Sequence, residues 1–286
     1  MRLRMMAALA AVTLGIGTMM ATHTSRAADA PQMGGGYTDV IPIPVQDPTV
    51  KAIAGALLKP DGAGPFPVVV YMPPCGGPNF PIELKQEQFW IERFKAKGIA
   101  TFVVDPLVPR GLDKGICDKL LTVRADVENK NEAVLKLLQQ GGDDAVAALK
   151  AVKAMPDIDP KKIFLMGFSS GGTAVLHATD PKSSTANDTE IAGVVSYYPL
   201  CGEKAEAAVP TLVLIGEKDD WVSVPACQAL QGKPNFEVAV YPGATHSFTM
   251  QFEKPFEFAG HQLAYDEAST MQAAERTEAF IAAQLK

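Results

Sequence analysis

The chain is poor in the residues from which many functional sites are built. It has 4 histidines, 4 cysteines and 2 tryptophans among 286 residues. No two cysteines stand at C-x-x-C spacing, which excludes the commonest structural zinc sites. Lys and Arg (26) are outnumbered by Asp and Glu (32) and form no basic stripe, which argues against a nucleic-acid surface. Beyond the N-terminal segment no apolar run is long enough to cross a bilayer. Internal repeats and low-complexity tracts are missing too. What remains, 47% hydrophobic and 20% charged residues, is the composition of an ordinary globular chain.

The N-terminus has a different character. Met1-Arg2-Leu3-Arg4 is basic, residues 5–21 are almost wholly apolar, and Ser25-Arg26-Ala27 offers small residues at the cleavage positions. This pattern predicts a signal peptide over residues 1–27, cut after Ala27, with Ala30 as a second position. No twin-arginine pair is present. Losing Arg2, Arg4 and Arg26, and no acid, makes the net charge of −6 three units more negative. Residues 28–48, with Gly34-Gly35-Gly36 and several prolines, read as a leader into a single domain over 49–286. The implied location is periplasmic or secreted. There, Cys75, Cys117, Cys201 and Cys227 favour disulfides. Four cysteines allow three connectivities, and the sequence does not choose among them.

Continuous apolar runs alternate with helical patterns along the rest of the chain. Strands are expected at 50–58, 68–72, 99–104, 163–166, 191–198, 211–215 and 236–241. Helices are expected at 86–97, at 125–139 and 143–155 with a break at Gly141-Gly142, and at about 266–285. Runs apolar at every position, rather than at every second one, imply a mostly parallel sheet covered by helices on both faces.

In such a sheet the active residues gather at the carboxyl ends of the strands. After Ile163-Phe164-Leu165-Met166 comes Gly167-Phe168-Ser169-Ser170-Gly171, a G-x-S-x-G between a strand and a small-residue helix signal. That context makes a nucleophile elbow. After the strand at 211–215 comes Gly216-Glu217-Lys218-Asp219-Asp220, and after 236–241 comes Gly243-Ala244-Thr245-His246. The order Ser, Asp, His is that of the α/β-hydrolase fold. A serine hydroxyl needs a histidine to take its proton, and the histidine needs a carboxylate to hold its tautomer. The other histidines are excluded by position: His23 lies in the signal segment, His177 deep in the helix after the elbow, and His261 away from any strand end. The Gly-x-x-Asp register points to Asp219 and leaves Asp220 as a local cap. Two backbone N–H groups should form the oxyanion hole. One belongs to Ser170; the other falls to Cys75, the first donor after Pro73-Pro74, since proline has none.

These motifs resemble the dienelactone hydrolase family of α/β-hydrolases. The resemblance runs from about Val50 to Leu285. It includes Cys75-Gly76-Gly77, Pro109-Arg110-Gly111, Asp157-Ile158-Asp159-Pro160, the Ser169 elbow, Tyr198-Pro199, Gly216 to Trp221, Tyr241 to Phe248 and Tyr265-Asp266. It implies an α/β-hydrolase fold without a large cap domain, no metal or cofactor, and a small-molecule ester or lactone as substrate. The family's name-giving enzymes carry a cysteine nucleophile, so Ser169 aligns this chain with serine esterase branches. Many relatives also read His-Gly where this chain has Pro73-Pro74. The implied fold pairs Cys75 with Cys117 and Cys201 with Cys227.

The expected activity is ester or lactone hydrolysis through an acyl-enzyme, with no membrane association once the signal is removed. A peptidase of the same fold, or a non-catalytic binding protein on it, is the alternative. Phe248, Phe252, Phe256 and Phe258 form either an apolar wall beside the site or packing beneath a loop. Arg110 is expected to anchor its Pro-Gly turn. The substrate's acyl and alcohol groups, and the oligomeric state, are not readable.

Overall fold

The computed structural model describes residues 31–182 and 190–286. The expected signal peptide lies outside them. Eight strands form one sheet: β1 (Ile41–Pro44), β2 (Ala52–Leu58), β3 (Phe66–Met72), β4 (Ala100–Asp105), β5 (Ile158–Phe168), β6 (Gly193–Tyr197), β7 (Thr211–Gly216) and β8 (Phe236–Tyr241). Their order is β1-β2-β4-β3-β5-β6-β7-β8. β1 and β2 run antiparallel at one edge, and every pairing from β4 to β8 is parallel.

Alternation along the central strands explains why the runs are apolar throughout. Val68, Val70 and Met72 face one core layer, and Val69 and Tyr71 face the other. The first layer is closed by α3 (Glu132–Lys153) and α4 (Ser170–Thr179), through Ala145, Leu149, Val152 and Val175. The second is closed by α1 (Pro81–Ala96) and α6 (Glu267–Gln284), through Trp90, Phe94, Phe280 and Ile281. Both faces are therefore dry, which is the condition a parallel sheet requires.

Three expectations need correction. The helix break is not at Gly141-Gly142, which lie inside α3. It falls after α2 (Val123–Glu128), where Lys130 takes φ 55 and Asn131 caps α3 by accepting from the Ala133 N–H. The glycine pair serves packing instead: a Cβ on Gly142 would sit 2.3 Å from the His177 ring. The expected leader also contributes to the domain, since residues 41–44 form β1 and the Gly34 N–H donates to Asp105 Oδ2. Finally, α1 begins at Pro81, five residues before its apolar spacing starts, because proline suits the first helical position.

A buried ion cluster ties these parts together. Arg110 donates to both oxygens of Asp144 at 2.8 and 2.9 Å, to Asp47 Oδ2 at 2.7 Å, and to the carbonyl of Pro106. Its side chain is 6% exposed, and those of Asp47 and Asp144 are 3% and 4% exposed. Arg110 thus anchors its turn, joining the segment before β2 to α3. Burial pushes the Asp144 carboxyl up to about 6, against the pull of Arg110. Arg110→Met would leave two buried carboxylates without a cation. We expect a loss of about 3–5 kcal/mol in urea unfolding at pH 8. The loss should shrink toward pH 5, as Asp144, already raised by burial, takes up a proton that the unfolded chain holds only at lower pH; Asp47, held low by its Thr49 contacts, does not contribute.

Candidate active site

Ser169 sits in the single-residue turn between β5 and α4, with φ 51 and ψ −113. This conformation is unfavourable for a residue with a Cβ. It is held from both sides: the Ser169 N–H donates to the Tyr197 carbonyl at 2.9 Å, and the Ser169 carbonyl accepts from the Thr173 N–H at 2.9 Å. The turn lifts the hydroxyl clear of the sheet. The Asp219 turn follows β7, and the His246 turn follows β8.

The three predicted side chains meet. Ser169 Oγ is 3.0 Å from His246 Nε2, and His246 Nδ1 is 2.7 Å from Asp219 Oδ2. Both His246 and Asp219 are buried. The other oxygen of Asp219 accepts from the N–H groups of Trp221 and Val222, each at 3.0 Å. One carboxylate therefore fixes its own turn and the imidazole together. Asp220 is not the local cap that the sequence led us to expect. Its Oδ2 accepts from the Gln262 N–H and its Oδ1 lies 3.3 Å from His261 Nδ1. It holds the hairpin of β9 (Phe256–Phe258) and β10 (His261–Leu263), which no periodicity announced because each strand has only three residues.

The imidazole is walled by aromatic rings. Tyr198 lies 5.0 Å from it, and Trp221 lies 5.1 Å from it. Trp221 in turn stacks on His261 at 4.6 Å and on Phe258 at 5.8 Å. His261 thus belongs to the hairpin support and is not a second base. Trp221 and Tyr198 stood in the sequence only as letters in longer motifs, and nothing local marked them as neighbours of His246. Of the phenylalanines, Phe248 is fully buried under the loop, while Phe256 and Phe258 are 38% and 39% exposed and do not line the cleft beside Ser169. His177 is remote, bonded to Gln139.

Cys75, Ser169 and Ser170 line one small cleft together. Ser170 is the first residue of α4, where N–H groups have no partner within the helix. Among the described residues neither the Cys75 N–H nor the Ser170 N–H has an acceptor. The rest of the cleft is mostly apolar, lined by Leu120, Val123, Leu138, Leu200, Trp221 and Val222, with one hydroxyl, that of Thr173, which donates to the Ser169 carbonyl and accepts from the Leu200 N–H. It adjoins a second cavity whose one cation among the described residues is Arg110, neutralised by its two aspartates.

Two disulfides brace this rim, Cys75–Cys117 and Cys201–Cys227. The implied pairing is the observed one, and all four cysteines are used. The first bridge carries Cys117 and Leu120 onto the turn that holds Cys75, and the Cys75 carbonyl accepts from the Ile116 N–H at 2.7 Å. Such bridges fit an oxidising compartment. No helix among the described residues is long and apolar enough to cross a membrane.

Comparison with known proteins agrees with this architecture. A model of the dienelactone hydrolase family matches residues 53–285. A protein of Azospirillum brasilense named for carboxymethylenebutenolidase activity is 38% identical over 79 residues, which cover 24% of this chain and 34% of that protein, so the chain matches about a third of its length. Among solved structures, a dienelactone hydrolase-like promiscuous phosphotriesterase from metagenomic libraries aligns with a TM-score of 0.58 at 18% identity, over 86% of this chain and 98% of that one. Esterase 2 of Thermogutta terrifontis aligns with a TM-score of 0.59 at 15% identity, over 88% and 96%. A dienelactone hydrolase of Anabaena variabilis aligns at 0.51 and 20% identity, over 87% and 96%. At these identities the structural likeness speaks for the fold.

The cross-links give a direct expectation. Non-reducing peptide mapping should find the two bridges and no free thiol. For Cys75–Cys117, which closes 42 residues, loop-closure entropy predicts a loss of about 4 kcal/mol in the Cys75→Ala/Cys117→Ala double variant, read by chemical denaturation.

Proposed function

Because the chain belongs to the dienelactone hydrolase family, we propose that it is an exported serine hydrolase that cleaves carboxylic esters or lactones through an acyl-enzyme. One observation carries this reading: the unbroken contact from Ser169 Oγ through His246 to Asp219, at 3.0 and 2.7 Å. Export is supported by the basic-then-apolar N-terminus and by the two disulfides.

In this mechanism Ser169 Oγ attacks the carbonyl carbon while its proton passes to His246 Nε2. The imidazolium is stabilised by Asp219 through the Nδ1–H. The carbonyl oxygen, now negative, is held by the N–H groups of Cys75 and Ser170. Collapse of the tetrahedral intermediate breaks the bond to the leaving oxygen, which takes the proton from Nε2. Water then attacks the acyl-serine, with His246 as base, and releases the acid. The aromatic wall of Tyr198 and Trp221 limits the water around the imidazole.

The cleft favours an uncharged acyl group. Its walls carry no cation, and Arg110, the cation lining the adjoining cavity, is already bonded to Asp47 and Asp144, so neither offers a substrate carboxylate a partner against its desolvation. Dienelactone carries such a carboxylate. We therefore assign neutral esters or lactones as substrates.

Ser169→Ala should lower kcat on p-nitrophenyl esters by at least about 1,000-fold, with the protein still folded. A fluorophosphonate should label Ser169 in the native protein; failure to label would favour a non-catalytic binding role. Asp219→Asn should cost on the order of 100- to 10,000-fold in kcat, whereas Asp220→Asn should cost less than about tenfold. On a panel of p-nitrophenyl acyl esters, lactones and peptide amides, neutral acyl esters should exceed their ω-carboxylate analogues in kcat/KM. Preference for the amides would turn the assignment to a peptidase.

A further inference from the structure

Glu83 has no part in the mechanism above, yet it is placed against it. It lies in the first turn of α1, 5% exposed. Its Oε1 accepts from the Gly76 N–H at 2.9 Å. Its Oε2 is buried and has no hydrogen-bond partner. The contact with Gly76 is close enough that a Cβ there would lie 2.4 Å from Glu83 Oε1. Gly76 follows Cys75, whose N–H is the oxyanion donor of the proposed mechanism.

We propose that Glu83 is a positioning residue for the oxyanion turn: through Gly76 it sets the direction of the Cys75 N–H. The inference rests on the serine-hydrolase reading and deepens it. Three contacts hold the turn. Pro73 and Pro74 enter it with fixed φ, the disulfide and the Ile116 N–H hold Cys75 from one side, and Glu83 holds Gly76 from α1. Without Glu83 the turn keeps its covalent tether but loses the acceptor that orients the peptide between Cys75 and Gly76.

The contact also depends on protonation. Burial pushes the Glu83 carboxyl up to about 8, opposed by the N–H groups of Gly76 and Gly77 and assisted by Glu87. Below about pH 8 the neutral acid is favoured, with Oε1 accepting from the Gly76 N–H. The groups that face it are Glu87 one turn along α1, Tyr71 from β3, and Tyr198 from the segment after β6, with Asp219 beyond Tyr198. Both tyrosines are pushed upward by burial and stay neutral across this range. Burial also raises Glu87 to about 7, but Glu87 takes its hydrogen bond from Tyr37 and does not touch the turn. Ionising Glu83 places a charge against the orphaned Oε2, and the turn must open to hydrate it. Because the folded chain keeps a proton that the unfolded chain releases, stability falls as pH rises from about 4.5 to about 8.

The test compares pH profiles of kcat and KM on a neutral p-nitrophenyl ester, from pH 6 to 10, for the wild type, Glu83→Gln, Glu83→Ala and Glu87→Gln. The wild type should lose kcat along an alkaline limb near pH 8. Glu83→Gln keeps the Oε1 acceptor and cannot ionise, so it should retain kcat within about threefold at pH 7 and lose that limb. Its melting temperature should gain on the wild type as pH rises from 5 to 8.5. Glu87→Gln should keep the limb. Glu83→Ala should lower kcat about 10- to 100-fold with KM little changed, the scale of a misdirected oxyanion donor. An alkaline limb unchanged in Glu83→Gln, or an undiminished kcat in Glu83→Ala, overturns the proposal. Should Glu83→Ala not fold, the Glu83→Gln profile decides alone. Fluorophosphonate labelling of Ser169 in each variant separates this outcome from failure of the serine-hydrolase reading: label retained with the predicted profile missing counts against Glu83 only.

Discussion

The backbone of Ser169 occupies φ 51, ψ −113, a region that costs a residue with a Cβ about 1–3 kcal/mol. Locally, Thr173 holds its carbonyl from the first turn of α4. The conformation persists because β5 ends at Phe168 inside a sheet buried on both faces, α4 begins one residue later, and Tyr197 accepts the Ser169 N–H across the β6 edge. The strain is thus borne by the central sheet. The same geometry presents the Ser169 hydroxyl to His246 and frees the Ser170 N–H at the helix start. If the sheet relaxed, the proposed nucleophile and oxyanion donor would be lost together.

Charge is handled differently in the two halves of the molecule. On the α3 side, Arg110 and its two aspartates form a closed cluster that binds distant segments and exposes little charge to the cleft. On the α1 side, acids are buried without cations: Glu83 and Glu87 are both raised by burial, and their hydrogen bonds come from neutral donors, the Gly76 N–H and the Tyr37 hydroxyl. The cleft lies between these halves and is mostly apolar. In the proposed mechanism its chemistry therefore comes from oriented neutral dipoles, the serine and one imidazole–carboxylate pair.

The fold was legible because burial on both faces leaves a plain signature, apolar residues at every position of a strand. Ser169, Asp219 and His246 were legible because each directly follows such a strand, and because the scarcity of histidine left few candidates. Other features were not. Gly141-Gly142 read as a helix break because a glycine looks the same whether it ends a helix or lets another approach; only the position of His177 tells them apart. The duties of Asp219 and Asp220 diverge according to the hairpin at 256–263, which is too short for any periodicity. Glu83 fell outside the helix expected at 86–97, and its burial follows from how α1 lies across the Cys75 turn. These are tertiary facts, set by elements far apart in the chain.

The placement of the cysteines has one more consequence. No strand of the central sheet contains one; all four lie in the loops and short helices around the cleft. The sheet is held by apolar burial and by its own hydrogen-bond ladders, while the segments around the cleft take part of their order from covalent links. The molecule therefore has two kinds of permanence: one is spread over many weak contacts in the layered interior, and the other is concentrated in two bonds beside the cleft.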